Sequence, residues 1–256
     1  MTTIEEAAQK TLSLIDLTSL NDNDTDLNIE ALCKKTQTSF GSVPAICIYS
    51  RYIPLARSLL KTHNPSVKIA TVTNFPHGSS DLDLALYETS LAIKRGADEV
   101  DIVFPYHYLK NGDTAIGHTM VSEAKKICGN KVLKVIIESG ELKTPELIKQ
   151  ASEISIQAGA DFIKTSTGKV AINATLAATE IMLTAIKASG KACGFKAAGG
   201  IRDVKEAAKY LDLTAQIMGD AWINANNFRF GASGLLTDVL NVLSGKNSNS
   251  TNVNIY

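Results

Sequence analysis

Apolar and polar positions alternate between two patterns along the chain. Short, nearly continuous apolar runs rich in β-branched residues fall at 12–17, 43–49, 67–73, 99–104, 132–138, 161–165, 193–197 and 228–230. Their length and composition predict eight strands, and the lack of strict alternation predicts burial on both faces, as in a parallel sheet. Between them lie stretches with apolar residues at steps of three and four. Leu82, Ala85, Leu86 and Ile93 form one such stripe; Ile148, Ala151, Ile154 and Ala158 form another. Both predict amphipathic helices. Thr144-Pro145 reads as an N-cap followed by proline at the first helical position. Gly96 and Gly159 sit where a left-handed residue ends a helix, and each is followed by Ala-Asp and a strand. The predicted strands start about 31 residues apart, the length of a βα unit. Eight such units predict a single (β/α)8 barrel domain over 1–256, with a short N-terminal helix and a mobile tail over 244–256. An open doubly wound sheet is the alternative, disfavoured because no GxGxxG follows the first strand.

Charge and composition then narrow the class. Lys and Arg number 26 and Asp and Glu number 26, so the formal charge is zero. A nucleic-acid binder needs a basic face, and nothing in this balance supplies one. No apolar stretch is long enough to span a membrane, and the start lacks the layout of a signal peptide. Cys33, Cys47, Cys128 and Cys193 are scattered without CxxC spacing, as expected of reduced thiols in a cytoplasmic protein. The four histidines form no HxxxH or HExxH pair, so no metal site is expected from Cys and His.

Barrel enzymes carry their chemistry at the C-terminal ends of the strands. Those ends hold Asp16, Cys47, Asn74, Asp101, Glu138, Lys164, Lys196 and Ser233. Two of them, Lys164 and Lys196, are lysines on apolar strands. One such lysine snorkels easily to the surface. Two on neighbouring strands would converge on one site. At roughly 5 Å and an effective dielectric of about 20 their ammonium groups would repel by ~3 kcal/mol, or about two pK units. One amine would then be partly neutral near pH 7, as a nucleophilic lysine must be. Asp101 lies in a buried strand and needs a partner, either a structural cation or Lys196 in a proton relay. Asp16 reads equally as a structural acid or a supporting one. Cys47 reads as a small core residue, and His77 as a loop residue. Glycine-rich turns follow the last three strands: Gly168-Lys169, Gly199-Gly200-Ile201-Arg202 and Gly231-Ala232-Ser233-Gly234. Backbone amides there, with Lys169 and Arg202, would make a phosphate cradle.

These segments together resemble the deoxyribose-phosphate aldolases, a class I (Schiff-base) family. The resemblance runs through 15–18, 45–49, 71–78, 96–105, 134–138, 160–170, 194–202 and 228–233, and the run 161–168 is its most specific part. It implies reversible cleavage of 2-deoxy-D-ribose 5-phosphate to acetaldehyde and D-glyceraldehyde 3-phosphate, in deoxyribonucleotide catabolism, with no metal or other cofactor. It implies Lys164 as the imine-forming amine, Lys196 as the lysine that perturbs it, and Asp101 as the acid–base partner. Asp16, Thr18 and Cys47 are supporting residues. Gly168, Lys169, Gly199, Gly200, Arg202, Gly231, Ser233 and Gly234 fall where the family binds phosphate.

This chain departs from the more familiar pattern at two points: Ala197 replaces a proline after the second lysine, and Gly234 replaces a second serine. Gly234 keeps its N–H, so phosphate binding should survive. Tyr256 ends the chain, as in some family members. The expected partner is a small phosphorylated sugar, with no nucleic acid or membrane, and a homodimer is possible. Two alternatives stand beside this reading: another Schiff-base barrel aldolase or transaldolase, and a non-catalytic phosphosugar-binding protein. The zero net charge would then conceal a local excess of Lys164, Lys169, Lys196 and Arg202, opposed mainly by Asp101.

Overall fold

The computed structural model describes residues 3–246. All eight expected strands form: β1 (Ile15–Ser19), β2 (Ala45–Ile48), β3 (Lys68–Thr73), β4 (Glu99–Val103), β5 (Val132–Ile136), β6 (Phe162–Lys164), β7 (Gly194–Ala198) and β8 (Phe228–Ala232). Each pairs in parallel with its sequence neighbour, and β1 closes on β8. Helices between successive strands cover the outer face of the barrel and side chains fill its interior, so both faces of every strand are buried. This is why the runs read as continuous rather than alternating. The architecture is a (β/α)8 barrel.

The predicted helices form as Leu82–Lys94 and Pro145–Gln157. Thr144 caps the second, its hydroxyl accepting from the Leu147 amide. Gly96 and Gly159 both have φ of +99°. The Ala-Asp pair after each glycine also has a common structural purpose. Asp98 accepts from the Ile69 amide of β3 and pairs with Arg57; Asp161 accepts from the Leu133 amide of β5 and pairs with Lys125. In each case a carboxylate pins the start of the preceding strand to a helix.

Two boundaries differ from expectation. The strand expected at 12–17 begins only at Ile15, because Leu12 ends the helix Ile4–Leu12. Leu12 and Leu14 are apolar because helix end and turn are both buried, which hides the boundary in the sequence. The helix Ile4–Leu12 packs on Leu235–Leu243 and Val204–Met218. At the other end, the expected tail from Ser244 starts as an ordered cap. The Ser244 hydroxyl donates to the Leu240 carbonyl, and Gly245, at φ +68°, donates its amide to Val242. Residues 247–256, with Tyr256, lie outside the described residues. Among the described residues no helix is long and apolar enough to cross a membrane.

Candidate active site

Strand register brings the charged side chains together. Lys164 and Lys196 are direct partners across β6 and β7, Asp101 and Lys134 across β4 and β5, and Lys196 and Arg229 across β7 and β8. Residues paired in register face the same side of a sheet, and here that side is the barrel interior. Asp101 is the hub. Its Oδ2 accepts from Lys164 Nζ at 2.9 Å and Lys196 Nζ at 2.8 Å, and its Oδ1 accepts from Lys134 Nζ at 2.8 Å. Lys196 also donates to Asp16 Oδ2 at 2.5 Å. Lys134 Nζ lies 2.5 Å from Glu99 Oε2 and 3.7 Å from Asp16 Oδ2. Arg229 closes the network, donating to Asp16 Oδ1 at 2.5 Å and Glu99 Oε1 at 3.2 Å.

All of these groups are buried, yet their proton affinities diverge. Burial depresses the Lys164 pKa, and the Lys196 ammonium adds to the depression; Asp101 opposes both without overcoming them. For Lys196 burial works the same way, but Asp101 and Asp16 together outweigh it and raise the pKa. Lys134 is likewise raised, by Asp101 and Glu99 against burial. Asp101 is held well below the usual carboxylate range: burial favours its protonation, and Lys134, Lys164 and Lys196 override it. Asp16 is lowered in the same sense by Lys196 and Arg229. From the sequence, repulsion by Lys196 is the expected cause of the Lys164 depression. The structure makes burial the larger cause and repulsion the second.

The supporting residues separate. Asp16 serves the ion network and not loop backbone. Thr18 donates its hydroxyl to the Asp16 carbonyl at 2.8 Å. Cys47 is fully buried, packed with Leu20, Ala70 and Val72 beneath Tyr49 and Phe75. Burial raises its pKa, with Asp101 adding to the rise, so the thiol stays protonated and is not an activated nucleophile. His77 is exposed on a loop. Asn74 and Glu138, also at strand ends, hold loops in place. Asn74 donates to the Val103 and Ser79 carbonyls, and Glu138 accepts from the Thr167 amide. Both have positive φ, 52° and 54°, a conformation non-glycine residues adopt uncommonly.

The glycine turns lie at the rim, as expected of strand-to-helix loops. Gly168, Gly199 and Gly200 have φ of +86°, +84° and +88° after β6 and β7. Lys169 reaches across the mouth, its Nζ donating to the Leu20 carbonyl at 2.7 Å. Arg202 and Ser233 are exposed. Two adjacent helix starts differ. Val204–Met218 is already capped by acids: Asp203 accepts from the Glu206 amide and Asp238 from the Val204 amide. Leu235–Leu243 starts at Gly234 with no side-chain cap, which leaves its N-terminal amides without a side-chain acceptor. Gly231 differs in position from the rim glycines. It lies within β8, and a β-carbon there would come 3.0 Å from Lys196 Cε and 3.0 Å from Ala198 Cβ. Its missing side chain makes room for the Lys196 stem.

Sequence reasoning missed Lys134, Glu99 and Arg229. The signal was available for Lys134, which interrupts an apolar strand just as Lys164 and Lys196 do. Asp101 is therefore not the main opposing charge, because Asp16 and Glu99 share that task.

The fold is that of the (β/α)8 barrel enzymes, with buried lysines hydrogen-bonded to a carboxylate in its interior. Residues 10–238 match the DeoC/LacD family aldolase, and the chain belongs to that family. Solved structures agree in fold. An apo structure from Toxoplasma gondii ME49, described as a candidate deoxyribose-phosphate aldolase, is 26% identical with a TM-score of 0.85, covering 96% of this chain and 98% of that one. A candidate deoxyribose-phosphate aldolase from Coccidioides immitis is 26% identical with a TM-score of 0.80, covering 92% and 86%. The tetrameric deoxyribose phosphate aldolase from Aeropyrum pernix is 24% identical with a TM-score of 0.73, covering 95% and 94%, and speaks for the fold alone.

Proposed function

We propose that this aldolase reversibly cleaves 2-deoxy-D-ribose 5-phosphate to acetaldehyde and D-glyceraldehyde 3-phosphate through a Schiff base on Lys164. One observation carries the reading. Of three buried lysines bonded to Asp101, only Lys164 has its pKa lowered, while Lys134 and Lys196 are raised. A neutral amine is the form that attacks a carbonyl.

In this reading the Lys164 lone pair adds to C1 of the open-chain sugar, and the carbinolamine loses water to give a protonated imine. The C3 hydroxyl gives up its proton through a water to Asp101. The C2–C3 bond breaks, its electron pair passes to C2 and the imine, and an enamine forms as the three-carbon aldehyde phosphate leaves. Protonation at C2 and hydrolysis release acetaldehyde and restore the amine. Lys196 keeps its proton and holds Asp101 in place. The phosphate would be held by the amides at Gly168, Gly199, Gly200, Ser233 and Gly234 together with Lys169 and Arg202. In this reading the reaction belongs to deoxyribonucleotide catabolism in the cytoplasm.

Borohydride reduction in the presence of acetaldehyde, followed by peptide mass mapping, tests the reading. An ethyl adduct on Lys164 is expected. No adduct, or one solely on Lys196, overturns it. Assays with deoxyribose 5-phosphate against unphosphorylated and longer sugars separate it from other Schiff-base aldolases.

A further inference from the structure

Four basic side chains are buried in the barrel: Lys134, Lys164, Lys196 and Arg229. Three carboxylates lie within ion-pair distance of them: Asp16, Glu99 and Asp101. Glu138 is also buried near Lys164, but it accepts from the Thr167 amide and, among the described residues, pairs with no cation. The ion-paired cluster, Glu138 aside, therefore has one more base than acid. Desolvated charge without a counter-charge is costly, so one base must lose its proton. Arginine cannot be that base at any working pH.

The contacts say which lysine it is. Lys134 lies within 4 Å of three carboxylates, Lys196 of two, and Lys164 of Asp101 alone. Lys164 also shares its one acceptor oxygen with Lys196. Other groups facing it do not compensate: the Cys47 thiol is protonated, and Lys134 and Lys196 are like charges. We infer that Arg229 is a positioning residue that sets the protonation state of Lys164 by occupying Asp16 and Glu99.

The influence passes along adjacent ion pairs, Arg229–Asp16 at 2.5 Å, Asp16–Lys196 at 2.5 Å, Lys196–Asp101 at 2.8 Å and Asp101–Lys164 at 2.9 Å. Arg229 touches no part of the mouth. It donates to the Ala225 carbonyl and lies against the Phe162 ring. Without its fixed charge the cluster would hold three lysines and three carboxylates, and all three lysines would keep their protons. The inference rests on Lys164 being the Schiff-base amine.

The test is the pH dependence of kcat/KM and of borohydride trapping with acetaldehyde in the native protein and in Arg229→Met, Arg229→Lys and Glu99→Gln. In Arg229→Met the acidic limb should move up by about one pH unit, with activity recovering at higher pH. Arg229→Lys should restore the native limb. Glu99→Gln removes a negative charge and should move the limb down. A purely structural role would lower activity in both charge-changing variants without opposite displacement of the limb. That result, with Lys164 still trapped in the native protein, overturns the inference. If Arg229→Met does not fold, the Glu99→Gln displacement decides it alone. Absence of trapping at Lys164 in the native protein instead removes the functional reading itself.

Discussion

Lys164 and Lys196 are register partners on adjacent strands and donate to the same Asp101 oxygen, yet their proton affinities move in opposite directions. The difference is Asp16, which pairs with Lys196 and not with Lys164. One extra carboxylate thus separates the lysine whose pKa is lowered, the proposed Schiff-base amine, from the one whose pKa is raised.

Lys196→Leu should raise the Lys164 pKa. The native Lys164 pKa is depressed, so its neutral form is gained as pH rises. Removing Lys196 deletes a repulsive charge and leaves Asp101 and Asp16 with one cation fewer to share, and both changes favour protonated Lys164. The acidic limb of the rate profile should move up by roughly one to two units, with a lower rate at pH 7. An unchanged profile with reduced rate would mean that Lys196 acts only by contact.

Lys164→Met should reduce turnover by roughly 10^4-fold or more, the scale of losing a covalent nucleophile, and abolish borohydride trapping. Asp101→Asn should cost about 10^2- to 10^4-fold in kcat as a lost acid–base group. It should also lower Tm, because it leaves three buried lysines short of a charge partner. Steady-state kinetics and calorimetry on the same preparations separate the two effects.

Gly231→Ala separates clearance from phosphate binding. Its β-carbon would meet Lys196 Cε at 3.0 Å inside the barrel. Lowered kcat is expected for phosphorylated and free deoxyribose alike. A loss confined to the phosphorylated sugar would return Gly231 to the cradle.

Arg202→Ala should raise KM for deoxyribose 5-phosphate by several-fold and leave free deoxyribose nearly unchanged. An exposed arginine contributes about 1 kcal/mol or less to an anion at the rim. Equal loss on both sugars would remove Arg202 from the phosphate site.

Gly194 tests the floor of the barrel. A β-carbon there would come within 2.5 Å of the Phe162 ring. Gly194→Ala should cost about 1–3 kcal/mol by overpacking, seen as a lower Tm by thermal denaturation.

Most of the fold was legible because its information is local. Strand runs such as 99–104, the Thr144-Pro145 cap and the Gly96 and Gly159 turns are decided by residues close in sequence. The first strand was misplaced at its start because Leu12 and Leu14 are buried for another reason, and burial alone does not distinguish a helix end from a strand. Lys164, Lys196 and Asp101 were legible because a charge in an apolar strand is costly enough to signal a purpose.

By itself the sequence determined eight buried strands, the helices between them and which chemical groups stand on them. Only the tertiary structure decided how those groups pair. Lys134, Glu99 and Arg229 acquire meaning through strand register and barrel closure, which bring Arg229 to Asp16 across 213 positions of chain. The zero net charge on the page gives no hint of this arrangement. Proton affinity depends on distances between side chains and on the exclusion of water, and both exist only once the barrel has closed.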